Sequence, residues 1–518
     1  MSELELKLTV TADTLKRLRD QDPPLAYRCE TLDIKRLRTI YYDSKKRHFL
    51  EAGTAIRLRQ AAELWFQTVK SGRKLHCGLS RTEEFECAVS GQALEPEKIP
   101  EDMLEPSLRK LLRKEKVSPL FETNVVRTAT LYNSPEGDEI EVAFDIGDAI
   151  ADNSKVPLNE IELELITGKP EALFALAKIL VKDQAFLFSS MSKAEIGYRL
   201  SEGTKPPSHS DFQPALPIKL KQKWNAEDAF QAVLRSCLQQ IIVNRYAVLF
   251  SDASEPVHQF RVGIRRLRSA LRLFRPIMRK QTFQLLEQPA KHLAKLAGDL
   301  RDLDVMIEEL LPELQSSLPP SLDASTLTGR LAQKRIELHK ELKRHLKSEP
   351  TNHLILSLGE FIEVKKWRED AGRKHRDAAK MKAADFARQA LEERWKASRK
   401  DASGIESLSI EERHTLRKTL KTMRYTAEFC QGLFDGKQAD KFLASSKKLQ
   451  TILGYLNDVT LAEQLLENLT SKHGTDPNDL AVVSYMVGWH TCRASQSWDT
   501  AIKQWQEFSA TPRFWQEK

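Results

Sequence analysis

The N-terminal run Glu3-Leu4-Glu5-Leu6-Lys7-Leu8-Thr9-Val10 alternates polar and apolar residues without a break, and Glu160-Ile161-Glu162-Leu163-Glu164-Leu165 does the same. Successive side chains of a strand point to opposite faces, so this period marks two strands. Glu3, Glu5 and Lys7 share one face; Glu160, Glu162 and Glu164 share another. Between them basic residues follow the same rule: Arg57 and Arg59 lie two apart, and Lys70 closes the run WFQTVK. An ordinary half-buried strand turns such charges to water. Acidic faces at both ends and basic faces in the middle point to another arrangement, a closed sheet with the charged faces inside. Charges buried in such number must be paired or bind ions. A metal together with a polyanion satisfies both signs.

Eight strands are expected, near 3–10, 38–44, 54–60, 64–70, 82–89, 124–132, 139–146 and 158–165, with helices over 106–115 and 171–186 and a turn at 134–137. An even number of antiparallel strands with short turns suits a closed barrel. Residues 203–217 then lose all periodicity and gain prolines and serines, a linker composition. Beyond them long charged helical patterns take over. The expected fold class is therefore α+β: an eight-stranded antiparallel β tunnel barrel with helices over 1–202, then an all-α domain over 218–510.

The helical part is duplicated. VHQFRVGIRRLRSALRLF begins at Val257 and RHTLRKTLKTMRYTAEFC at Arg413, and an offset of 156 residues pairs His258 with His414, Arg261 with Arg417, Arg265 with Lys421 and Arg268 with Arg424. The same offset pairs Lys291 with Lys447, Gly298 with Gly454 and Asp302 with Asp458. A gapless match of this length marks a repeated unit. Two packed helical bundles are expected, over about 218–350 and 351–510.

In each copy an apolar stripe (Phe260, Ile264, Leu267, Leu271 and Phe274; Leu416, Leu420, Met423 and Ala427) runs beside a basic one. The basic stripes are His258, Arg261, Arg265, Arg268 and Arg272, and His414, Arg417, Lys421 and Arg424. No acid is read at i±4 to relieve the repulsion, so the stripes ask for an extended anion. Charge agrees: residues 1–200 carry 30 Lys and Arg against 33 Asp and Glu, the remainder 51 against 40.

No apolar run approaches the ~18–20 residues of a membrane span. The start lacks a secretory pattern, and the six cysteines are scattered without a CxxC pair. A cytoplasmic protein is expected, outside the membrane, secreted and fibrous classes.

Glu3-x-Glu5-x-Lys7 resembles the signature of CYTH domains, the triphosphate tunnel metalloenzymes. The order of later motifs is similar too: Arg57-x-Arg59, Lys70, an acidic strand at Glu84, Arg127, Asp145, the pair Glu162 and Glu164, and Ser192-Lys193. The resemblance implies a tunnel barrel that acts on triphosphates with Mg²⁺ or Mn²⁺. It implies Glu3, Glu5, Asp145, Glu162 and Glu164 as metal ligands with Glu160 as support, and Arg57, Arg59, Lys70, Arg127 and Lys193 as phosphate-gripping groups. Lys7, with Glu5, would act at the scissile phosphoryl group. Glu84 and Glu86 are weaker metal candidates. One departure stands out: Thr82 occupies a position where a basic residue is expected, with Arg81 beside it on the opposite face.

The second half is similar to CHAD domains, through HxxR-x3-R-x2-R and the segments LAKLAGDLRDLDV and LQTILGYLNDVTL. This resemblance implies binding of inorganic polyphosphate by His258, Arg261, Arg265, Arg268, Lys291, His414, Arg417, Lys421, Arg424 and Lys447, and association with polyphosphate granules. Neither nucleic acid nor membrane is an expected partner. The function implied is metal-dependent hydrolysis of inorganic triphosphate to phosphate and diphosphate, with polyphosphate held by the helical domain. The rival readings are a cyclase or a nucleoside or thiamine triphosphatase, and a non-catalytic polyphosphate-binding protein.

Overall fold

The computed structural model describes residues 2–114, 116–189, 191–204, 211–314, 317–369, 371–470 and 476–516. Of the expected linker, 205–210 lie outside these. Contacts divide the chain into two units, one of residues 1–211 with 346–366, the other of 212–345 with 367–518.

In the first unit the alternating segments close into a barrel. Its strands are β1 (Ser2–Thr9), β2 (Arg28–Asp43), β3 (Ala55–Ala61), β4 (Leu64–His76), β5 (Leu79–Val89), β6 (Ser118–Asn133), β7 (Glu139–Ala151) and β8 (Ser154–Thr167). They pair in the order β5-β4-β3-β2-β6-β7-β8-β1, and β1 returns to β5. A two-residue strand, β9 (Leu187–Phe188), adds to β1. Helices α1 (Ala12–Asp20), α2 (His48–Glu51), α3 (Pro106–Arg113), α4 (Pro170–Leu180) and α5 (Lys193–Ser201) lie between or after the strands. The apolar faces are the outer ones: Leu6, Leu8, Ile161 and Leu163 are fully buried, and α4 packs on β1 and β8.

Several bounds differ from the sequence expectation: β4 runs on to His76, β6 starts at Ser118 and β7 runs on to Ala151. β2 starts ten residues earlier than residue 38, because a register shift between Thr31 and Ile34 breaks the alternation without breaking the pairing to β6. α4 stops at Leu180 and does not reach 186; the carbonyls of Val181, Lys182 and Gln184 instead accept from the Asn352 amide. The helix expected over 106–115 is α3, and Glu115 lies outside the described residues.

The second unit is helical: α6 (Ala226–Phe250), α7 (Ser254–Leu273), α8 (Lys280–Val305), which runs through a π turn at Met306–Leu310 into α9 (Leu311–Leu314), and α10 (Ser325–Lys347). After α11 (Glu349–Glu363) come α12 (Arg373–Lys380), α13 (Ala383–Asp401), α14 (Ile410–Cys430), α15 (Gly436–Thr470) and α16 (Pro477–Ala510). The 156-residue offset survives in space, since α8 starts at Lys280 and α15 at Gly436. α7 packs between α6 and α8, α14 between α13 and α15, and α7 and α14 pack on each other. The apolar stripes are core: Phe260, Ile264, Leu267 and Leu271 on α7, and Leu416, Leu420, Met423 and Ala427 on α14, are buried.

The helix α11 breaks the simple two-part division. It lies between the repeats in sequence yet belongs to the barrel unit, packed on α4. Asn352 caps the end of α4, Lys178 pairs with Glu360 at 2.6 Å, and a Cβ at Gly359 would stand 3.1 Å from Phe174 and Phe188. Glycine is what lets the helix come this close.

Candidate functional site: a charged tunnel and facing basic helices

The barrel interior is a cavity of about 1020 Å³. Most inner faces contribute charge, and those charges meet in register, while β2 contributes Leu37, Thr39 and Tyr41. β1 sets Glu5 opposite Glu164 of β8, β6 sets Arg127 opposite Asp145 of β7, and β4 sets Lys70 opposite Glu84 of β5. Glu3, Glu5, Lys7, Arg57, Arg59, Lys70, Arg127, Asp145, Glu162, Glu164 and Lys193 all line the cavity, so the structure brings together the whole expected tunnel set.

The carboxylates fall into two groups. Asp145, Glu160 and Glu162 are gripped by cations. Arg127 donates to both oxygens of Asp145 at 2.8 and 2.7 Å and also reaches Glu162. Lys193 lies 2.8 Å from Asp145, 2.8 Å from Glu160 and 2.7 Å from Glu162. Lys7 lies 2.7 Å from Glu162 and 3.1 Å from Glu5. Burial opposes the charge on Lys7, but Glu162 and Glu5 hold its pKa well above the ordinary lysine value. Burial likewise opposes charge on Asp145 and Glu162, yet Lys193 and its neighbours keep both below the usual carboxylate range.

The second group, Glu3, Glu5 and Glu164, meets fewer cations: Glu3 has Lys70 and Glu5 has Lys7. Burial and the facing Glu5 and Glu141 push Glu164 up to about 7. Glu3 is raised by burial and by Glu84, with only Lys70, 3.0 Å away, working against it. Buried oxygens that repel one another are the donor chemistry a hard divalent cation neutralises. Glu3, Glu5 and Glu164 are oxygen donors of the kind such a cation takes. Among the described residues no group of three or more acids, histidines or cysteines lies close enough together to hold a metal ion as the side chains stand.

The cations of the cavity lining include groups with spare donors. Nε of Arg57 and of Arg59 is buried without a hydrogen-bond partner among the described residues, while Arg57 reaches Glu84 at 3.2 Å. Burial, Arg57 and Arg127 lower Arg59 to about 10. Glu84 is thus a partner of Arg57 and Lys70 here. Thr82 lines the cavity, and Arg81 faces outward and is exposed.

Sequence reasoning missed Arg73 and Lys74, which also line the cavity. Gly72 adopts a left-handed φ of 62°, and the β4–β5 register shifts between Ser71 and Lys74, so a bulge swings these cations inward. The signal was present as Ser71-Gly72-Arg73-Lys74, a glycine followed by two cations inside a strand. Arg73 pairs with Glu195, which closes the capping box of α5 with Ser192. That box fixes the helix start that carries Lys193.

In the helical unit the two basic rows face each other. Arg265 of α7 donates to the Tyr425 hydroxyl of α14 from Nε and Nη2, at 3.2 and 2.6 Å. Arg261 and Arg265 act electrostatically on Arg417 and Lys421 across the helix pair. Burial, then Arg265, Arg417 and Arg261, lowers Lys421 to about 6. Asp302 lies close enough to act on Arg261, and Asp458 on Arg417. Toward the helix ends the rows are neutralised: Glu287 takes Arg268 and Arg272, and Glu428 takes Arg424. Glu428 sits four residues after Arg424, which corrects the expectation that no acid lies at i±4. Lys291 joins Arg268 and Arg272 around one cavity, and Lys447 lies on α15, exposed. Burial, then Arg301, lowers His258, and burial, then Arg417, lowers His414.

Lys421 gives a stability prediction. A lysine whose pKa falls on folding is protonated first in the unfolded chain, so stability drops as pH falls from the ordinary value of 10.5 toward 6. Lys421→Met should raise the melting temperature at pH 7, with the gain shrinking as pH approaches 10. Thermal melts across pH check this; a lower Tm for the variant at pH 7 would contradict it.

Residues 1–198 match the CYTH domain and residues 232–467 the CHAD domain. The chain belongs to the proteins that carry a CYTH domain followed by a CHAD domain. It is similar to an inorganic triphosphatase of Haemophilus influenzae, 31% identical over 165 residues. The match spans 31% of this chain and 44% of that protein, less than half of the relative's length. The helical part is similar in structure to the CHAD domain of the plant Ricinus communis, with 25% identity and a TM-score of 0.50 over 59% of this chain and 98% of that one. A Hippeastrum structure reported with a dominant triphosphatase activity shares 22% identity over 40% of this chain and 98% of its own, with a TM-score of 0.30. Among the described residues no helix is long and apolar enough to cross a membrane.

Proposed function

We propose that the barrel hydrolyses inorganic triphosphate to phosphate and diphosphate, and that the helical unit binds inorganic polyphosphate. One observation carries the first half. A single cavity sets a dense row of Arg and Lys side chains against carboxylates, two of which, Glu3 and Glu164, are pushed up to about 7 by burial and neighbouring acids. The likeness to an inorganic triphosphatase supports the same reading.

Arg57, Arg59, Arg127 and Lys70 would grip the phosphate oxygens, the arginines through forks that match their geometry. Glu3, Glu5 and Glu164 would hold Mg²⁺ or Mn²⁺, which when bound neutralises phosphate charge and eases deprotonation of water. Lys7, kept cationic by Glu162 and Glu5, is placed to stabilise charge on the phosphoryl group under attack. Water bonds to the terminal phosphorus as the bridging P–O bond breaks, and diphosphate departs.

Two of the aromatic side chains of the lining, Tyr41 and Tyr198, are engaged in the wall, which favours an inorganic substrate over a nucleotide; Phe85 lines the cavity as well. Tyr41 stacks on Phe121 with centroids 4.6 Å apart, and the Tyr198 hydroxyl donates to Asp43 at 2.9 Å, so both are committed to the wall.

Arg57→Ala, Arg59→Ala and Arg73→Ala should each lower kcat/KM for triphosphate by about tenfold or more, the low end of the 1.5–3 kcal/mol of a charge-assisted hydrogen bond. Arg17→Ala should change little, since Arg17 is bonded to Gln184 outside the cavity lining. Equal kinetics for all four variants would place the substrate elsewhere.

For the helical unit, the facing rows of Arg261, Arg265, Arg417 and Lys421 support polyphosphate binding. Affinity should fall steeply with salt, because released counterions drive such association. Glutamine at Arg261, Arg265, Arg268, Arg417, Lys421 and Arg424 should weaken it without touching triphosphate hydrolysis. Tighter binding to duplex DNA of similar charge would reject the reading.

A further inference from the structure

The backbone of Lys7 is held from two sides by short segments. Its N–H donates to the Gly78 carbonyl at 2.8 Å, and its carbonyl accepts from the Ser189 N–H at 2.9 Å. Ser189 follows directly on β9, which pairs Phe188 with Leu8 and Leu187 with Thr9. The Ser189 hydroxyl lies 3.2 Å from Glu160 Oε1, and Glu160 lies 2.8 Å from Lys193. Ser189 is itself buried. One residue therefore touches both the backbone that carries Lys7 and a carboxylate that holds Lys193.

The preceding residue, Phe188, is buried between two glycines from distant parts of the chain. A Cβ on Gly78, in the turn between β4 and β5, would stand 2.8 Å from Phe188 Cδ1 and 2.8 Å from the Lys7 carbonyl oxygen. A Cβ on Gly359 of α11 would stand 3.1 Å from Phe188 Cζ and 3.3 Å from its Cε2. The root of the ring thus meets the Lys7 turn and its tip meets α11. Phe186 closes on the same ring, with centroids 5.7 Å apart. Interiors packed this tightly pass a displacement on, because they hold few voids to absorb it. The pairing of Glu360 with Lys178 and the Asn352 cap on α4 keep Gly359 against the ring.

We propose that α11 is a positioning element of the tunnel: through Phe188 and Ser189 it fixes where β1 presents Lys7 and where Glu160 holds Lys193. Gly359, Phe188 and Ser189 lie outside the cavity lining and act through those two lysines. Positioning of this kind is worth much in catalysis, since a misplacement of about 1 Å costs about a hundredfold in rate. The proposal rests on the reading of the tunnel as a triphosphatase, and it adds a kinetic role to a helix that lies between the two helical repeats in sequence.

The test uses the full chain with Gly359→Val, which pushes the ring, and Ser189→Ala, which removes only the hydroxyl. His353→Ala, at an exposed position of α11, is the control and should match the parent. Gly359→Val should lower kcat for inorganic triphosphate about tenfold or more, and Ser189→Ala should act in the same direction. KM should stay within about twofold, because Arg57 and Arg59 stand on β3, which neither variant touches. Hydrogen–deuterium exchange should quicken over residues 2–9 and 187–189 and stay as in the parent over 118–133 of β6. All rates are taken at a temperature where every variant is folded. Unchanged exchange over 2–9 in both variants, or an unchanged kcat beside a lowered melting temperature, overturns the proposal and leaves α11 a purely stabilising helix. A parent chain that does not turn over triphosphate rejects the triphosphatase reading instead, and the exchange measurement then decides by itself whether α11 holds β1.

Discussion

Glu5→Gln should lower triphosphate hydrolysis by about 10²–10³-fold, the range for removing one preorganised electrostatic group from a water-poor site. Glu5 is buried on the inner face of β1, opposite Glu164 of β8. Glutamine keeps its volume and removes its charge, so the carboxylate set that fits a divalent cation loses a ligand of the right hardness. The fold should tolerate the change. Lys7 keeps Glu162 at 2.7 Å, and Glu164 loses a repelling neighbour. Melting temperature should therefore hold or rise while activity collapses, and any residual rate should need more Mg²⁺ or Mn²⁺. Initial rates over a metal titration, with a thermal melt beside them, check both halves. Near-normal turnover at ordinary Mg²⁺ would remove Glu5 from the site.

The barrel should also depend on a helix more than a hundred residues away in sequence. A fragment of residues 1–211 should be less stable than the barrel in the full chain by at least about 3 kcal/mol, a large part of the ~5–15 kcal/mol of an ordinary domain. Without α11, the carbonyls of Val181, Lys182 and Gln184 lose the Asn352 amide, at about 1–3 kcal/mol for buried groups left unsatisfied. Ile355 and Ile362 share the α11 face with Asn352 and Gly359, and their burial adds about 1.5–3 kcal/mol for each side chain covered. Asn352→Ala in the full chain should show the first term alone. A synthetic peptide of residues 346–366 should restore the fragment. Denaturant melts of fragment, fragment with peptide, and full chain test this; a fragment as stable as the full-length barrel would mean that α11 is only a passenger.

The barrel was legible because alternation states which side chains share a face. Leu6, Leu8, Ile161 and Leu163 follow it outward, and Glu3, Glu5, Lys7 and Glu162 follow it into the cavity. What alternation cannot state is where it breaks. The register shift at Thr31 hid half of β2, and the bulge at Gly72 hid Arg73 and Lys74. Helical period has a different blind spot. It gives the buried stripe of α11 but not the unit on which that stripe packs, so the Asn352 cap and the Gly359 contact had no trace in the sequence. The basic stripes were visible as rows, but neutralisation of Arg268 and Arg272 by Glu287 crosses from α7 to α8, beyond any i±4 rule. Arg261, Arg265, Arg417 and Lys421 act on one another across the helix pair.

Product analysis with inorganic triphosphate, ATP and thiamine triphosphate, side by side and with Mg²⁺ or Mn²⁺ supplied or chelated, tests the central claim most directly. Triphosphate should be converted to equal amounts of phosphate and diphosphate, faster than either organic triphosphate, and chelation should stop the reaction. Faster turnover of ATP or thiamine triphosphate, formation of a cyclic nucleotide, or unchanged rates after chelation would contradict a metal-dependent inorganic triphosphatase in this tunnel.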